Sequence, residues 1–347
     1  METALTRLVG VRHPVVQTGM GWVSGPRLVA ATANAGGLGI LGSATMTYAE
    51  LADAVAEVKR RTDAPFGVNL RSDASDAPQR VELLIRDGVK VASFALAPRR
   101  ELIDRLHEAG IVVVPSVGAV RHAEKVAAWG ADAVLVQGAE GGGHTGGVAT
   151  SLLVPAVVDA VDIPVVAAGG FFDGRGLAAA LCYGAAGVAM GTRFLLTRES
   201  TVPDAVKRAY LAHGLDGTVV TRYVDGLPHR VLRTALVDRL ERAGPLRRLT
   251  AALGNAARFR TLTGLSWRSM IREGLAMRHG RDLAWAQLLM AANTPMLLRA
   301  GLVEGRPDAG VLASGQVVGL LDDVPSCEQL ITRIVAEAGE VLRRLAR

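Results

Sequence analysis

One imidazole, His144, stands inside an eleven-residue loop, 137–147, in which six residues are glycine. Glycine lets a ligand approach the backbone closely, and an imidazole changes its charge near neutral pH. The loop directly follows an apolar, β-branched run, residues 133–136, that is typical of a buried strand. Such a loop could present a catalytic acid or base. A flexible turn with a structural histidine is the competing interpretation, and the loop alone does not decide between them.

Two further glycine-rich loops follow apolar runs later in the chain. Gly169 and Gly170 come after residues 165–168, and Gly191 and Thr192 come after residues 187–190. Backbone N–H groups at strand ends, when glycine leaves them accessible, commonly bind phosphate oxygens. The two loops together predict a phosphate-bearing cofactor or substrate, although neither a P-loop nor a G-x-G-x-x-G motif occurs in a matching context.

The sequence argues against two other kinds of chemistry. No serine or cysteine lies in a recognisable nucleophile motif, and no histidines, cysteines or carboxylates have metal-ligand spacing, so we predict neither a hydrolase nor a bound metal. His144 could instead act as an acid or base beside a redox cofactor.

Cys182 lies among alanines and leucines and is predicted to be a buried small residue.

Composition favours a tightly packed α/β protein. Half of the 347 residues are hydrophobic and only 4% are aromatic. No apolar run is long enough to cross a membrane, and the N-terminus lacks the pattern of a signal peptide. Two distant cysteines indicate no disulfide framework. We therefore expect a cytoplasmic protein without membrane association, and the sequence is compatible with a homo-oligomer.

Eight short runs that predict strands, with segments of helical character between them, succeed one another in the first part of the chain. Several of these runs are continuous and apolar, which is the pattern of parallel strands that are covered on both faces. The repeat predicts a TIM (β/α)8 barrel, with an open doubly wound sheet as the alternative. The runs are residues 15–17, 36–41, 66–70, 91–94, 111–114, 133–136, 165–168 and 187–190.

The repeat stops after Thr197. Residues 200–305 are predicted to be mainly helical, residues 310–321 to return to the barrel, and residues 325–344 to form a closing helix. We therefore predict an α/β barrel formed by residues 1–199 and 306–347, with residues 200–305 as a helical insertion before the last barrel helix.

Positive charge is concentrated in this insertion. Between Arg222 and Arg281 there are thirteen arginines, four acidic residues and no lysine. Guanidinium groups bind phosphates and carboxylates in bidentate fashion, which suggests a substrate that carries such groups. A solvated helical face is the simpler alternative. Nucleic acid is not expected as a partner, because the segment lacks interleaved aromatics and any helix-turn-helix or zinc motif.

A series of motifs resembles the nitronate monooxygenase family, also described as 2-nitropropane dioxygenase-like. The motifs span nearly the whole chain and fall at predicted strand ends. They are QTGM (17–20), GVN (67–69), PSVG (115–118), GADAVLVQ (130–137), EGGGH (140–144), AAGG (167–170) with DGRG (173–176), and GTRF (191–194) with ES (199–200). One departure is Gly141, where the family usually has alanine.

The resemblance implies a TIM barrel with one non-covalently bound FMN and with His144 as the catalytic imidazole. It places Met20, Gly21 and Asn69 along the isoalloxazine ring and Gln137 near it. The residues that it implies around the ribityl phosphate are Gly142, Gly143, Gly169, Gly170, Gly191 and Thr192.

Two stretches of the insertion are TVVTRYVDGLPHRVLR (218–233) and MAANTPMLL (290–298). Through them the insertion is similar to that of a narrower branch of the family, the flavin-dependent dehydrogenases of actinobacterial steroid breakdown. This resemblance implies oxidation of a ring hydroxyl on a methyl-octahydroindene carboxyl-CoA thioester, with NAD+ as the electron acceptor. The arginines would then bind the CoA phosphates, and the candidates are Arg222, Arg230 and Arg233. The alternatives are a nitronate monooxygenase that uses O2, an enoyl-thioester reductase, and a non-catalytic flavin or CoA-ester binding protein.

Overall fold

A closed barrel of eight parallel strands forms the centre of the computed structural model, which describes residues 1–224, 226–242 and 294–347. The first strand pairs with both the second and the last barrel strand, and this closes the ring and confirms the predicted TIM barrel. The barrel strands are β1 (Val15–Gln17), β2 (Leu38–Gly42), β3 (Phe66–Leu70), β4 (Val91–Phe94), β5 (Val112–Val117), β6 (Val134–Gln137), β8 (Val165–Ala168) and β9 (Gly187–Met190). A separate sheet contains β7 (Gly143–His144), β10 (Thr218–Thr221) and β11 (His229–Leu232).

Helices surround the barrel, and several begin with side-chain caps. Thr47 and Glu50 form a capping box at α3, and Asp173 caps α8. The helices are α1 (Ala4–Val9), α2 (Pro26–Asn34), α3 (Tyr48–Arg61), α4 (Ala77–Arg86), α5 (Arg100–Glu108), α6 (Val120–Ala128), α7 (Thr150–Val158), α8 (Gly174–Cys182), α9 (Thr192–Leu195), α10 (Asp204–Leu211), α11 (Ala235–Arg242), α12 (Thr294–Leu302) and α13 (Cys327–Leu345). Among the described residues, no helix is long and apolar enough to span a membrane.

The barrel strands are buried on both faces, as their continuous apolar runs predict. In β5, Val112 and Val114 belong to the cluster inside the barrel, whereas Val113 packs in the layer beneath the helices. Leu5 and Val9 of α1 join the interior cluster, so this helix covers the amino end of the barrel. At the opposite end, where the strands finish, the barrel has a cavity.

Cys182 is exposed, so the prediction of a buried residue was wrong. Helix α8 buries Gly174, Leu177 and Ala178, which share one face by their helical spacing. Cys182 is the last residue of that helix, and its side chain is exposed there.

The sequence predicted the insertion to be mainly helical, but its described part also contains two strands. β10 and β11 pair antiparallel, with Thr218 opposite Leu232 and Thr221 opposite His229. The β-branched run Thr-Val-Val-Thr favours a strand, and Gly226 turns the chain with a φ of 86°. Residues 243–293, with eight of the thirteen arginines, lie outside the described residues. The domain boundaries therefore stay a prediction.

The two ends of the insertion meet on the barrel. A Cβ placed on Gly305 would lie 3.5 Å from the side chain of Pro203. After this junction, residues 310–321 return to the mouth of the barrel but add no strand to it, and they contain a 3-10 helix, Gln316–Leu320. The last helix, α13, then packs between α8 and α2, where the final barrel helix belongs.

A buried charge cluster ties the end of the barrel to the returning chain. Arg193, whose side chain is 3% exposed, places Nη1 2.8 Å from Asp323 Oδ1, and Arg333 Nη1 lies 2.8 Å from Asp323 Oδ2. Burial by itself raises the pKa of Asp323, but hydrogen bonds from Arg333 and Arg193 hold that pKa below its ordinary value.

We expect Asp323→Ala to lower the free energy of unfolding by about 2–3 kcal/mol, since it leaves the buried Arg193 guanidinium without its carboxylate. Arg333→Ala should cost less than about 1 kcal/mol, because Arg333 is half-exposed. Urea unfolding of the three proteins measures both values. The carboxylate's contribution is present above the ordinary pKa of aspartate and should fade as the pH falls through the lowered pKa. Equal losses in the two variants would contradict this account.

Candidate active site

A cavity of about 430 Å³ lies at the carboxyl ends of the barrel strands, and residues at the end of every strand contribute to its wall. This is the end of a TIM barrel at which enzymes bind their substrates. All eleven residues predicted for catalysis and cofactor binding line this cavity. They are Met20, Gly21, Asn69, Gln137, Gly142, Gly143, His144, Gly169, Gly170, Gly191 and Thr192.

One side of the cavity is polar. Four successive barrel strands, β3 to β6, place Asn69, Ser93, Ser116 and Gln137 on the wall, and Asn69 Nδ2 donates a hydrogen bond of 3.2 Å to Ser93 Oγ. The facing side carries small and apolar groups, among them Ala168. Such a cavity suits a flat ring with one hydrogen-bonding edge and one apolar edge.

Glycines open the backbone at the strand ends after β8 and β9. Gly169 and Gly170 have φ values of 93° and 83°, which glycine adopts without strain. Within the described chain, the N–H groups of Gly169, Gly170, Gly191 and Thr192 donate no hydrogen bond to a described residue. Accessible N–H groups of this kind can bind phosphate oxygens.

The start of α8, in contrast, is already occupied by carboxylates. Gly174 N donates to Glu337 Oε2 at 2.7 Å, and Gly176 N donates to Asp173 Oδ1 at 3.0 Å. The N–H groups of the loops after β8 and β9 are therefore better candidates to bind phosphate than those of this helix.

The short strand β7 holds His144 at the mouth of the cavity. His144 lies opposite His229 of β11, and Gly143 lies opposite Arg230. From below, Gln137 Nε2 donates a hydrogen bond of 2.8 Å to the carbonyl oxygen of His144. The loop is thus fixed on one side by the hairpin of the insertion and on the other by a barrel side chain.

Gly141 makes room for this support. A Cβ at position 141 would lie 2.6 to 2.8 Å from Nε2, Cγ and Cδ of Gln137, so that side chain would have to move. Gly141, the residue that departs from the family pattern, therefore leaves the space that the side chain of Gln137 occupies.

We expect Gly141→Ala to displace Gln137 and to lower turnover about 3- to 10-fold, roughly the loss of one hydrogen bond near 1 kcal/mol. Gln137→Ala should have a similar effect. Steady-state rates of both single variants and of the double variant test the coupling. If alanine at position 141 still slows the enzyme in the Gln137→Ala background, the effect does not run through Gln137.

Glu140 is a cavity residue that the sequence interpretation did not single out. Its Oε2 accepts hydrogen bonds from Thr150 Oγ1 at 2.6 Å and from Thr150 N at 3.0 Å. The carboxylate thereby caps the start of α7, and its backbone oxygen accepts a hydrogen bond from Gln316 N. Glu140 thus joins the loop, a barrel helix and the returning chain.

Other unpredicted wall residues come from beyond the barrel repeat. His229, Leu298, Leu302 and Gly315 all line the cavity. Gly315 N donates to Thr192 Oγ1 at 2.9 Å, which joins the returning chain to the loop after β9. These residues could not be placed from the sequence, because their proximity depends on where the insertion folds back.

The three predicted substrate-binding arginines do not line the cavity. Arg222 and Arg233 are exposed. Arg230 Nε donates to the carbonyl oxygen of Ala139 at 3.1 Å and Nη1 donates to Thr218 Oγ1 at 2.9 Å, so this side chain fastens the hairpin to the loop. Burial lowers the pKa of Arg230, and the nearby charge of Glu140 opposes that change.

The fold and the cavity define a TIM-barrel enzyme with its site at the strand ends. A family model described as nitronate monooxygenase matches residues 2–80 and 74–337. The chain therefore belongs to the nitronate monooxygenase family, which confirms the predicted family and the prediction of an oxidoreductase.

Two relatives share 70% identity with this chain. One is from Mycobacterium tuberculosis (strain ATCC 25618 / H37Rv), over 341 residues, and the other from Rhodococcus jostii (strain RHA1), over 338; each alignment covers 97% of this chain and 96% of the relative. Both are named (3aS,4S,5R,7aS)-5-hydroxy-7a-methyl-1-oxo-octahydro-1H-indene-4-carboxyl-CoA dehydrogenase. The structure of FabK from Thermotoga maritima is similar with 34% identity and a TM-score of 0.83, covering 100% of this chain and 99% of that one.

Proposed function

We propose that this chain is an FMN-dependent dehydrogenase that oxidises a ring hydroxyl of a steroid-derived methyl-octahydroindene carboxyl-CoA thioester, with NAD+ as the electron acceptor. The observation that carries the proposal is the 70% identity, over 97% of the chain, to two dehydrogenases named for such a CoA ester. The proposed setting is the cytoplasm, with residues 200–305 as the domain that receives the CoA ester. A homo-oligomer is compatible with the proposal.

The cavity residues fit FMN. The N–H groups of Gly169, Gly170, Gly191 and Thr192, which donate to no described residue, suit its phosphate. The polar wall that includes Asn69 and Gln137 suits the hydrogen-bonding edge of its ring. When bound, FMN supplies a ring that accepts hydride from the substrate.

His144 is the proposed catalytic base. It stands at the cavity mouth on a strand fixed from both sides, where it can take the hydroxyl proton as hydride leaves the same carbinol group. The alternative is that His144 only contacts the flavin and the substrate.

Flavin bleaching tests this proposal. The yellow protein is mixed anaerobically with the hydroxylated CoA ester, and loss of the oxidised flavin absorbance is followed before and after NAD+ is added. If the protein stayed colourless after FMN is supplied, it would not bind FMN, and every flavin-dependent function would be excluded. A flavin that stays oxidised with this ester would remove the substrate assignment.

Deuterium identifies the bond that is oxidised. An ester labelled at the carbinol carbon should give a deuterium isotope effect on bleaching and deuterated NADH. Label on the ring carbon that bears the thioester should have no effect. If that label also slowed bleaching, the enzyme would oxidise a carbon–carbon bond instead, the reverse of an enoyl-thioester reduction.

Exposed arginines of the insertion are proposed to bind the CoA phosphates. We expect Arg233→Ala to weaken binding of the CoA ester about 3- to 10-fold, as for a solvent-exposed ion pair of roughly 1 kcal/mol, and to leave FMN affinity unchanged. Isothermal titration at two salt concentrations measures this. Arg343→Ala, on the distant α13, is the matched control. Unchanged affinity for the ester would make Arg233 part of a solvated surface.

A second candidate is nitronate monooxygenase activity, which the family model favours. It predicts oxygen consumption with an alkyl nitronate and no requirement for a CoA ester. Comparison of kcat/KM for the nitronate and for the ester, with the same preparation, decides between the two functions.

A further inference from the structure

Very few titratable side chains face the cavity. Among the described residues that line it there is no aspartate, lysine, arginine, tyrosine or cysteine. The titratable ones are Glu140, His144 and His229. Within the part of the chain that the structure describes, these three side chains are therefore the candidates to accept a proton that leaves the substrate inside this cavity.

Glu140 is poorly placed for that task. Its Oε2 accepts hydrogen bonds from both the hydroxyl and the amide of Thr150, at 2.6 and 3.0 Å, and Oε1 lies 3.3 Å from the same amide. Proton uptake by this carboxylate would weaken the cap that begins α7. The two imidazoles are left as the proton acceptors.

The imidazoles form a pair. The ring centroids of His144 and His229 are 4.6 Å apart, with an angle of 46° between their planes. The pairing of β7 with β11 fixes this arrangement, because His229 lies directly opposite His144 in the sheet. His144 is exposed at the mouth, whereas His229 is only 2% exposed and still lines the cavity.

We infer that His229 is a second catalytic imidazole, which contacts the substrate hydroxyl and accepts its proton together with His144. The inference rests on the proposed dehydrogenase function. In this step hydride leaves the carbinol carbon for the flavin, the two-electron oxidant, and the hydroxyl proton passes to a ring nitrogen of the pair, so that the C–O bond becomes a carbonyl. The insertion therefore supplies part of the chemistry as well as part of the cavity wall.

The variants His229→Phe and His229→Gln test this role. Phenylalanine keeps a ring of similar shape without nitrogen, and glutamine keeps a hydrogen-bonding group without proton transfer. In both variants we expect flavin reduction by the ester to slow about 100-fold or more, the usual scale of general acid–base catalysis, with FMN affinity within threefold of wild type. His213→Phe, in the same region but outside the cavity lining, is the control and should reduce its flavin at close to the wild-type rate.

A binding measurement is independent of turnover. Reduced enzyme cannot oxidise the ester, so isothermal titration under anaerobic conditions can compare the hydroxylated ester with its deshydroxy analogue. Wild type should prefer the hydroxylated ester, and His229→Phe should lose at least two-thirds of that preference. Wild-type rates in either variant, or an unchanged preference, would overturn the inference. A wild-type flavin that no CoA ester reduces would instead remove the proposed function.

Discussion

Replacing His144 with alanine is expected to slow flavin reduction by the CoA ester about 10²- to 10⁴-fold, because the hydroxyl proton loses its principal acceptor. The side chain is exposed at the cavity mouth, and its backbone oxygen, which receives the hydrogen bond from Gln137, is retained. The loop and the FMN affinity should therefore be nearly unchanged. The effect should be on the chemical step.

Stopped-flow absorbance under anaerobic conditions separates that step from binding. His122→Ala is a suitable control, since His122 is an exposed histidine on α6 that does not line the cavity. If His144→Ala retained full turnover with FMN bound, His144 would be a contact residue only. A loss confined to the dissociation constant of the ester would lead to the same conclusion.

Gly191→Val is expected to weaken FMN binding more than about 100-fold while the protein remains folded. The φ of Gly191 is −100°, which other residues also adopt, so little backbone strain is introduced. A Cβ would lie 3.3 Å from both Met20 Sδ and Thr18 Oγ1, and the two further methyl groups of valine would enter the cavity beside the N–H groups proposed for the phosphate.

Fluorescence titration of the flavin-free protein with FMN, together with thermal unfolding, measures both parts of this prediction. Gly147→Val is the matched control, because a Cβ at that exposed glycine meets no atom within 4 Å and the residue does not line the cavity. Unchanged FMN affinity in Gly191→Val would move the proposed phosphate position away from the loop after β9. A loss of the fold would show up in the unfolding curve before any binding is interpreted.

The barrel could be predicted from the sequence because its signals are local. Runs such as 165–168 and 187–190 are continuous and apolar, since a parallel strand is covered on both faces, and these two runs are followed directly by glycine. Once the strands form a barrel, their carboxyl ends must meet. Residues as distant as Asn69 and Thr192 are then brought to one cavity without any further sequence signal.

Residues that the insertion brings to the cavity could not be predicted from local signals. His229 has no spacing relation to His144, and only the pairing of β11 with β7 brings their rings together. Charge composition likewise suggested Arg230 as a phosphate ligand, whereas its guanidinium donates to Ala139 and Thr218. A count of charges does not reveal which ones the fold uses internally.

Pro203 and Gly305, near the two ends of the insertion, lie next to each other. A segment with adjoining ends can be exchanged for another of different length without stretching the scaffold. In this enzyme such an exchange would also remove His229 from the cavity and the strand that pairs with His144. With the proposed role of His229, such an exchange is expected to change substrate range and reactivity together.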